Sequence, residues 1–447
     1  MPKRLFGTDG IRGKANIHPI TAEMALQVGR AAGSIFQRED RPHTILIGKD
    51  TRRSCYMIEN ALTAGLCSVG IRVLLTGPLP TPGVSYIMRS LRCDGAIMIS
   101  ASHNSYEDNG IKLFDRDGYK IADEFEDEIQ RLVFSEELDK IRPVAGKVGT
   151  AKRIDDAVGR YIEFVKATFP KGMRLDGLKI VVDCANGSMY KIGPDTLSEL
   201  GAEVIALANQ PNGLNINAKV GTVYPEEMRA TVIREKADLG IAFDGDGDRV
   251  AMADEDGRLL DGNALLAILG VDKLERNELP KNTLVATILA NGGLEKALAR
   301  LGGKVIRTNV GDRYVVEAMR EHGLTVGGES SGHIIMLEHN TTGDAMIAAL
   351  QILATRIRRD VPLSVIADVY EEMPESRINV PLSGKERPPQ DILDALARTA
   401  EPELNGSGRV VIRPSGTEPI IRVMVQHEEI RKAEAICKAL AEKVAEL

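Results

Sequence analysis

A serine and a lysine lie on either side of a polar loop that joins two apolar stretches of the chain. Residues 95–100 form a short uncharged run, whose length favours a buried strand. Ser102 and His103 follow it directly, at the position where open α/β sheets bind ligands. After the loop, apolar residues alternate around Lys112 and predict a second strand, with the amine directed away from the apolar face. A reactive serine and a polar hairpin loop whose serine caps a turn fit this pattern equally well.

Three aspartates in FDGDGDR offer a second kind of chemistry. In an extended segment, Asp244, Asp246 and Asp248 face one way, and the glycines between them let the backbone approach closely. Three crowded carboxylates repel one another unless a cation neutralises them, so a metal site is favoured over a solvated acidic loop, and hard oxygen ligands suit Mg²⁺. An EF-hand count would put Glu255 at its twelfth position, but Arg249 occupies the sixth, where glycine is required.

Two glycine-containing loops later in the chain are candidates for ligand contacts. GGESSGH, residues 327–333, has a carboxylate, hydroxyls and an imidazole that suit sugar hydroxyls, although a tight turn has the same composition. RPSGTEP, residues 413–419, can present backbone N–H groups and an arginine to an anion, although an ordinary hairpin turn fits as well. Both loops remain open between a ligand site and a simple turn.

The elements that must hold these residues follow a repeated pattern of strand, polar turn, helix, glycine and strand. It occurs in residues 44–77, 178–209 and 283–309, and Gly70, Gly201 and Gly302 occupy the left-handed helix cap. Such units cross over right-handed onto parallel sheets. We therefore predict three repeated α/β domains over residues 1–153, 154–255 and 256–373. A smaller α+β domain is predicted over 374–447, with two strands, RVVIR and IIRVMVQ, and two helices, residues 390–400 and 428–444.

Composition narrows the possible functions. The 447 residues are long enough for about three domains, and 43% apolar with 27% charged content is typical of globular proteins. A net charge of -7, 4% aromatic residues and no Trp argue against nucleic acid and anionic membranes as partners. The five scattered cysteines predict reduced thiols in a cytoplasmic protein, and no apolar run is long enough for a membrane helix.

The motif SASHN followed by DNGIK resembles the phosphoserine loop of the α-D-phosphohexomutase family. The resemblance extends over essentially the whole chain, and it implies mixed sheets arranged around a central cleft. It implies that Ser102 carries the transferred phosphoryl group, with His103 organising it and Lys112 as a candidate general base. Lys112 could accept a proton only if its pKa fell from about 10.4. The opening FGTDGIRG would bring Arg12 towards the phosphoserine, and Ser105 replaces a proline that is frequent in the family.

The same resemblance implies roles for the other motifs. One Mg²⁺ per chain would be bound by the three aspartates and the Ser102 phosphate, with Arg249 near the transferring group. Glu329 and Ser331 would contact sugar hydroxyls, with His333 in support. The idle phosphate of the substrate would be held by residues of the last domain: Arg413, Ser415, Gly416, Thr417 and, less directly, Arg422.

Within the family, FGTDGIRG, PNGLNIN and GGESSGH most resemble bacterial members that act on an amino-sugar phosphate. The expected reaction interconverts glucosamine 6-phosphate and glucosamine 1-phosphate through a bisphosphate, for UDP-N-acetylglucosamine and cell-wall precursors. A hexosamine 1,6-bisphosphate is the expected activator, and a homodimer is an open expectation. Phosphomannomutase or phosphoglucomutase activity is the nearest alternative. A non-catalytic phosphosugar-binding protein and a metal-dependent phosphatase are alternatives from other classes.

Overall fold

The computed structural model describes residues 4–7, 9–37, 41–140, 142–382, 386–415 and 419–447. Within them, the chain forms three successive α/β units and a smaller C-terminal unit, as the sequence predicts, and each unit has its own sheet. Single-turn 3-10 helices occur at Glu137–Lys140, Ala145–Lys147 and Pro280–Asn282.

The first sheet is mixed, with strand order β1-β5-β4-β2-β3-β6. Its central strands are parallel, and β4, β5 and β1 are antiparallel to one another in turn. Because β4 is buried along its whole length, the loop after it is held rigidly. The elements are β1 (Ile11–Lys14), α1 (Ala22–Phe36), β2 (Thr44–Lys49), α2 (Cys55–Ser68), β3 (Arg72–Pro78), α3 (Thr81–Ser90), β4 (Gly95–Ile99), β5 (Asp108–Asp115), α4 (Asp123–Val133) and β6 (Ala151–Arg153).

The second sheet has strand order β11-β10-β9-β7-β8. The β7, β8 and β9 strands are parallel, and β10 and β11 add an antiparallel edge. This edge extends past residue 255, and the domain limits themselves stay predictions. The elements are α5 (Ala157–Ala167), β7 (Lys179–Asp183), α6 (Met189–Glu199), β8 (Glu203–Leu207), α7 (Glu226–Glu235), β9 (Leu239–Phe243), β10 (Val250–Ala253) and β11 (Leu259–Leu260).

The third sheet has strand order β13-β12-β14-β15, with β15 antiparallel at the edge. The parallel crossover from β12 to β13 confirms the third repeated unit, and Gly70, Gly201 and Gly302 all have the positive φ expected after the three helices. The elements are α8 (Gly262–Glu275), β12 (Thr283–Thr287), α9 (Gly293–Ala299), β13 (Lys304–Thr308), α10 (Asp312–His322), β14 (Val326–Gly328), β15 (Ile334–Met336), α11 (Ala345–Arg359) and α12 (Leu363–Ala367).

The C-terminal unit is an antiparallel sheet with strand order β16-β18-β17. The sequence predicts β17 and β18 but not β16. That edge strand is mostly polar and half-exposed, so its hydrophobic alternation is weak. The elements are β16 (Glu375–Pro381), α13 (Gln390–Arg398), α14 (Glu401–Leu404), β17 (Gly408–Pro414), β18 (Ile420–His427) and α15 (Ile430–Glu446).

One apolar core runs through the first three units. It joins Met88, Phe243 and Leu350, which come from the first, second and third unit respectively. The C-terminal unit has a separate core, in which Val423 packs with residues of α15 such as Leu440. The first three units are therefore packed as one body around shared side chains, while the last unit carries its own.

Candidate active site

The β4 strand delivers Ser102 into a buried contact with the second domain. Its side-chain oxygen donates a hydrogen bond to Asp244 Oδ2 at 2.7 Å, and the residue is 1% exposed. Its backbone has φ +51°, in the left-handed region. His103 Nδ1 lies 3.4 Å from the same hydroxyl oxygen. The predicted nucleophile and the first of the predicted metal ligands are therefore in direct contact.

The loop between β9 and β10 brings the three aspartates together. One carboxylate oxygen from each of Asp244, Asp246 and Asp248 lies within 4.8 Å of the others, and all three residues are buried. Burial, together with the charges of Asp248 and Asp246, raises the pKa of Asp244 well above its ordinary value. Among the described residues, Asp246 Oδ1 and Asp248 Oδ1 have no hydrogen-bond partner. Buried carboxylate oxygens without partners are free to bind a divalent cation, so this donor set fits Mg²⁺.

Lys112 is buried beside these carboxylates. Its Nζ lies 2.9 Å from Asp246 Oδ2, 3.3 Å from Asp9 Oδ2 and 3.6 Å from Asp248 Oδ2. Burial alone would lower the pKa of Lys112, but the three carboxylates outweigh it and raise the pKa above its ordinary value. The low pKa that general-base catalysis requires is not met in this arrangement, where Lys112 is a protonated counter-ion. The base role stays a prediction.

One arginine contacts the His103 ring, and a second contacts the backbone of the same loop. Arg249 Nη1 donates to His103 Nδ1 at 2.9 Å, and Arg12 Nη1 donates to Ala101 O at 3.4 Å. Burial lowers the pKa of His103, and the charges of Arg249 and Arg12 lower it further, to about 4. Near pH 7 the imidazole is therefore neutral, and its Nδ1 acts as an acceptor for Arg249. The arginines supply the positive charge on this side of Ser102.

The third domain contributes His333 to the aspartate cluster. Its Nδ1 lies 3.7 Å from Asp248 Oδ2 and its Nε2 lies 3.5 Å from Asp312 Oδ2. Burial would lower the pKa of His333, but Asp248 and Asp312 raise it to about 9. Glu329 accepts hydrogen bonds from Gly311 N at 3.1 Å and from the exposed Ser331 Oγ at 3.4 Å. Glu329 and Ser331 thus lie together on the predicted sugar loop, whereas His333 binds carboxylates.

The C-terminal domain gathers positive charge on its sheet. Arg413 and Arg422 lie opposite each other on β17 and β18. Burial lowers the pKa of Arg413, and the neighbouring charges of Arg422 and Arg377 lower it further, so an anion would relieve the repulsion. Ser415 is buried at the end of β17. Gly416 and Thr417, predicted in the same phosphate loop, lie outside the described residues.

A partly buried chain of charges, which the sequence does not predict, links the first and third domains. Asp9 contacts Lys112, Lys120 and Arg12, and Lys120 Nζ lies 2.7 Å from Asp312 Oδ2. Asp9 stands inside FGTDGIRG beside the predicted Arg12, so its motif offered a signal. Lys120 and Asp312 lie in no motif singled out above. Through His333 this chain continues to Asp248, so three domains share one network of charges.

Four family models together match nearly the whole chain. The phosphoglucomutase/phosphomannomutase alpha/beta/alpha domains I, II and III match residues 3–140, 159–257 and 261–373, and the C-terminal domain of the same family matches residues 378–443. The chain belongs to the phosphoglucomutase/phosphomannomutase family. The α/β architecture with three repeated domains and a smaller C-terminal one, expected from the sequence, is confirmed.

Two curated relatives are similar to this chain over almost its full length. Phosphoglucosamine mutase from Geobacter metallireducens is 52% identical over 447 residues, covering 99% of this chain and 98% of the relative. The phosphoglucosamine mutase of Myxococcus xanthus is 50% identical over 441 residues, covering 98% and 96%. Both are similar to this chain along all four domains.

Solved structures of lower identity share the fold. A phosphoglucomutase/phosphomannomutase family protein from Burkholderia thailandensis superposes with a TM-score of 0.81 at 22% identity, covering 100% of this chain and 98% of the other. Aspergillus fumigatus N-acetylphosphoglucosamine mutase, solved with GlcNAc-6P and magnesium, gives 0.65 at 20% identity, covering 99% and 95%. Across the described residues, no helix has both the length and the apolar character needed to cross a membrane.

Proposed function

We propose that this enzyme interconverts glucosamine 6-phosphate and glucosamine 1-phosphate, with Ser102 as the phosphoryl carrier. The observation that carries the proposal is the 2.7 Å contact between Ser102 Oγ and Asp244 Oδ2, which joins a hydroxyl of the first domain to an aspartate cluster of the second. The glucosamine phosphates are chosen because the relatives that match the whole chain at 50–52% identity are phosphoglucosamine mutases. Phosphomannomutase or phosphoglucomutase activity is the alternative, since it needs the same catalytic parts.

The reaction consists of two phosphoryl transfers of opposite direction. The free sugar hydroxyl attacks the phosphorus on Ser102, the P–Oγ bond breaks, and the hydroxyl proton passes to a base. The bisphosphate then turns over in the cleft. In the second transfer Ser102 Oγ takes the other phosphoryl group, the sugar oxygen gains a proton, and the monophosphate isomer leaves. Phosphate and protons balance, so no inorganic phosphate is released.

The site has groups that would neutralise the negative charge of a phosphoserine. A phosphoserine carries about −1.5 to −2 charges at pH 7, and the residues on either side of Ser102 contact arginines, Ala101 O contacting Arg12 and His103 contacting Arg249. Asp244, Asp246 and Asp248 would hold one Mg²⁺ together with the Ser102 phosphate. The bound ion would supply further neutralisation of the phosphoryl oxygens, the main requirement of phosphoryl transfer.

Substrate binding is assigned to the third and fourth domains. Glu329 and Ser331, which contact each other, are proposed to read the sugar hydroxyls. The Arg413 and Arg422 pair, with Ser415, is proposed to hold the idle phosphate, because three clustered arginines, Arg377 included, attract an anion. Gly416 and Thr417 stay in this role as sequence predictions. His333 is proposed to support the site through Asp248 and not through a sugar hydroxyl.

The test supplies Mg²⁺, trace hexose 1,6-bisphosphate and, separately, the 6-phosphates of glucosamine, glucose and mannose. We expect glucosamine 6-phosphate to give the highest kcat/KM, with no stoichiometric phosphate release. Ser102→Ala should abolish turnover, whereas Ser105→Ala, an exposed serine three residues away, should not. Retained turnover in Ser102→Ala would contradict the nucleophile assignment.

The same assay distinguishes the alternatives. A highest rate with mannose or glucose 6-phosphate would assign the chain to the other branches of the family. Steady release of inorganic phosphate would indicate a phosphatase, and binding without isomerisation would indicate a phosphosugar-binding protein. Dependence on added bisphosphate would support a hexosamine 1,6-bisphosphate as activator. A cytoplasmic location, a role in cell-wall precursor synthesis and a homodimer complete the proposal.

A further inference from the structure

The backbone of Ser102 has a conformation that the surrounding structure must hold in place. Its φ of +51° lies in the left-handed region, which is unfavourable for a residue other than glycine and persists where neighbouring contacts enforce it. The Ser102 carbonyl oxygen accepts two hydrogen bonds, from Arg52 Nη2 at 2.9 Å and from Asn217 Nδ2 at 2.8 Å. These two donors come from different domains.

Arg52 binds the backbone of the loop that carries Ser102, residues 100–108, which is called the serine loop below. Its side chain is fully buried, and its Nε is paired with Asp50 Oδ2 at 2.8 Å. Besides Ser102, its guanidinium donates to the carbonyl oxygens of Asn104 at 2.9 Å and Asp108 at 3.1 Å, and to that of Ser105. A single buried cation thus satisfies four carbonyls of one loop, which a planar guanidinium with five donors can do and an ammonium cannot.

The backbone N–H of Ser102 is also held in place, through Ser100 and the Asp50 partner of Arg52. Asp50 Oδ2 accepts a hydrogen bond from Ser100 Oγ at 2.7 Å, and Ser100 Oγ accepts one from the Ser102 N–H at 2.9 Å. The Arg52 and Asp50 pair therefore restrains the backbone of Ser102 from both its N–H and its carbonyl group. Neither residue touches the Ser102 side chain in the contacts of the described residues, so the effect on the hydroxyl passes through the backbone.

Asn217 joins this loop to the second domain. Its Nδ2 also donates to Asn104 O at 2.9 Å, so it bonds the same two carbonyls as Arg52 Nη2. Gly245, between two of the aspartates, packs against this contact. A Cβ at Gly245 would lie 2.6 Å from Ser102 O and 2.8 Å from Asn217 Nδ2. The aspartate loop, residues 244–248, therefore packs against the Asn217 side chain and the serine loop so closely that a methyl group at Gly245 would not fit.

We propose that Arg52 and Asn217 are positioning residues for phosphoryl transfer, acting as a clamp on the Ser102 and Asn104 carbonyls that sets the hydroxyl of Ser102 against the aspartate cluster. The inference rests on the proposed function for its kinetic consequences. Phosphoryl transfer depends mainly on positioning, and a displacement of about 1 Å can cost about 100-fold in rate. The clamp joins the domain that supplies Ser102 to the domain that supplies the aspartates. It therefore controls the distance between the Ser102 hydroxyl oxygen and the aspartate cluster.

The test compares each clamp variant with a matched neighbour. Asn217→Ala is paired with Asn212→Ala, an exposed asparagine of the same segment, and Arg52→Lys is paired with Arg53→Lys, the exposed arginine next to it. We expect Asn217→Ala to lower kcat about 10- to 100-fold while KM for the sugar phosphate stays within twofold of the Asn212→Ala value. Arg52→Lys should behave in the same way relative to Arg53→Lys. A kcat of Asn217→Ala within twofold of its control would overturn the proposal.

A readout without turnover keeps the clamp separate from the proposed function. Hydrogen–deuterium exchange, measured without Mg²⁺ or sugar, should rise in Asn217→Ala for the peptide that covers residues 95–110 and not for peptides of the C-terminal domain. Unchanged exchange in that peptide would refute the clamp. If the unaltered enzyme and Asn212→Ala isomerise no hexose phosphate, the proposed function fails, while the exchange result still decides whether the clamp exists.

Discussion

Replacing Lys112 with Met tests whether this residue acts as a buried counter-ion. Lys112 is 2% exposed, and its ammonium lies within 3.6 Å of Asp246, Asp248 and Asp9. The substitution keeps the length of the side chain but removes the ion-pair partner of Asp246 and one of the cations beside Asp9 and Asp248. Removing one partner of a buried ion pair costs about 3–5 kcal/mol. Because the first three units share one core they are expected to unfold together, and at about 2.1 cal/mol/K per residue this corresponds to a fall of roughly 4 to 6 °C in the unfolding midpoint.

The control is Lys14→Met. Lys14 lies 3.5 Å from Glu107 on the same sheet, but the two side chains are 64% and 55% exposed, so their ion pair contributes about 1 kcal/mol or less. Thermal unfolding of both variants is measured in EDTA and again with Mg²⁺. We expect Mg²⁺ to raise the midpoint of Lys112→Met more than that of the unaltered protein, because its aspartates lack a competing cation. Equal midpoints for the two variants in EDTA would refute the counter-ion interpretation.

Lys112→Arg then separates charge from general-base catalysis. Arginine keeps the positive charge but does not release its proton at accessible pH. If Lys112 works as a cation, Lys112→Arg should retain more mutase activity than Lys112→Met, with an unaltered pH–rate profile. If Lys112 is the general base, both variants should lose activity equally, and the counter-ion argument would have to be abandoned for the catalytic step.

Three further substitutions test other parts of the structure. Burial raises the pKa of Glu126 from 4.5 to about 7, so the ionised carboxyl destabilises the folded protein at higher pH. The gain in the free energy of unfolding caused by Glu126→Gln should therefore grow as pH rises from 4.5 through 7, to at most about 3 kcal/mol. An equal gain at pH 4 and pH 8 would contradict this. A Cβ at Gly262 would lie 2.3 Å from Glu329 O, so Gly262→Ala should displace the sugar loop and raise KM, leaving Ser102 phosphorylation by bisphosphate, followed by intact mass, unchanged. Arg413→Ala should raise KM for the monophosphate about tenfold or more, since hydrogen bonds to charged groups contribute about 1.5–3 kcal/mol, and an unchanged KM would remove Arg413 from the phosphate site.

The repeated α/β architecture could be predicted because its signals are local. Each of the three units has an apolar strand, a helix and a glycine that must adopt positive φ within about thirty residues, and all three crossovers are parallel in the structure. The aspartate triplet could be predicted as a metal site from its crowded carboxylates, but residues 244–248 form a turn in the structure and not the extended segment that the alternation predicted. The edge strand β16 was missed because few of its residues are buried.

The surroundings of the site could not be predicted, because they depend on packing between distant segments. Arg52 and Arg53 are neighbours in the sequence and carry identical side chains, yet one is fully buried under the serine loop and the other is exposed. No local pattern distinguishes them. The raised pKa of Lys112 has the same origin, since Asp9 comes from a loop of the first domain and Asp246 and Asp248 from a loop of the second. Side-chain type was readable from the sequence, whereas protonation state depended on the assembled neighbours.

The charges of the site balance only when the domains are together. The second domain alone would bring three carboxylates close together without Lys112, and the first domain alone would hold Lys112 without two of its three carboxylates. His333 of the third domain lies between Asp248 and Asp312, and Asp312 reaches back to Lys120 of the first. Since an unpaired buried charge is costly, docking of these domains and formation of the phosphoryl-transfer site are one energetic event. A change that weakens the domain contact should therefore alter the protonation of the site, and a change of charge at the site should loosen the contact.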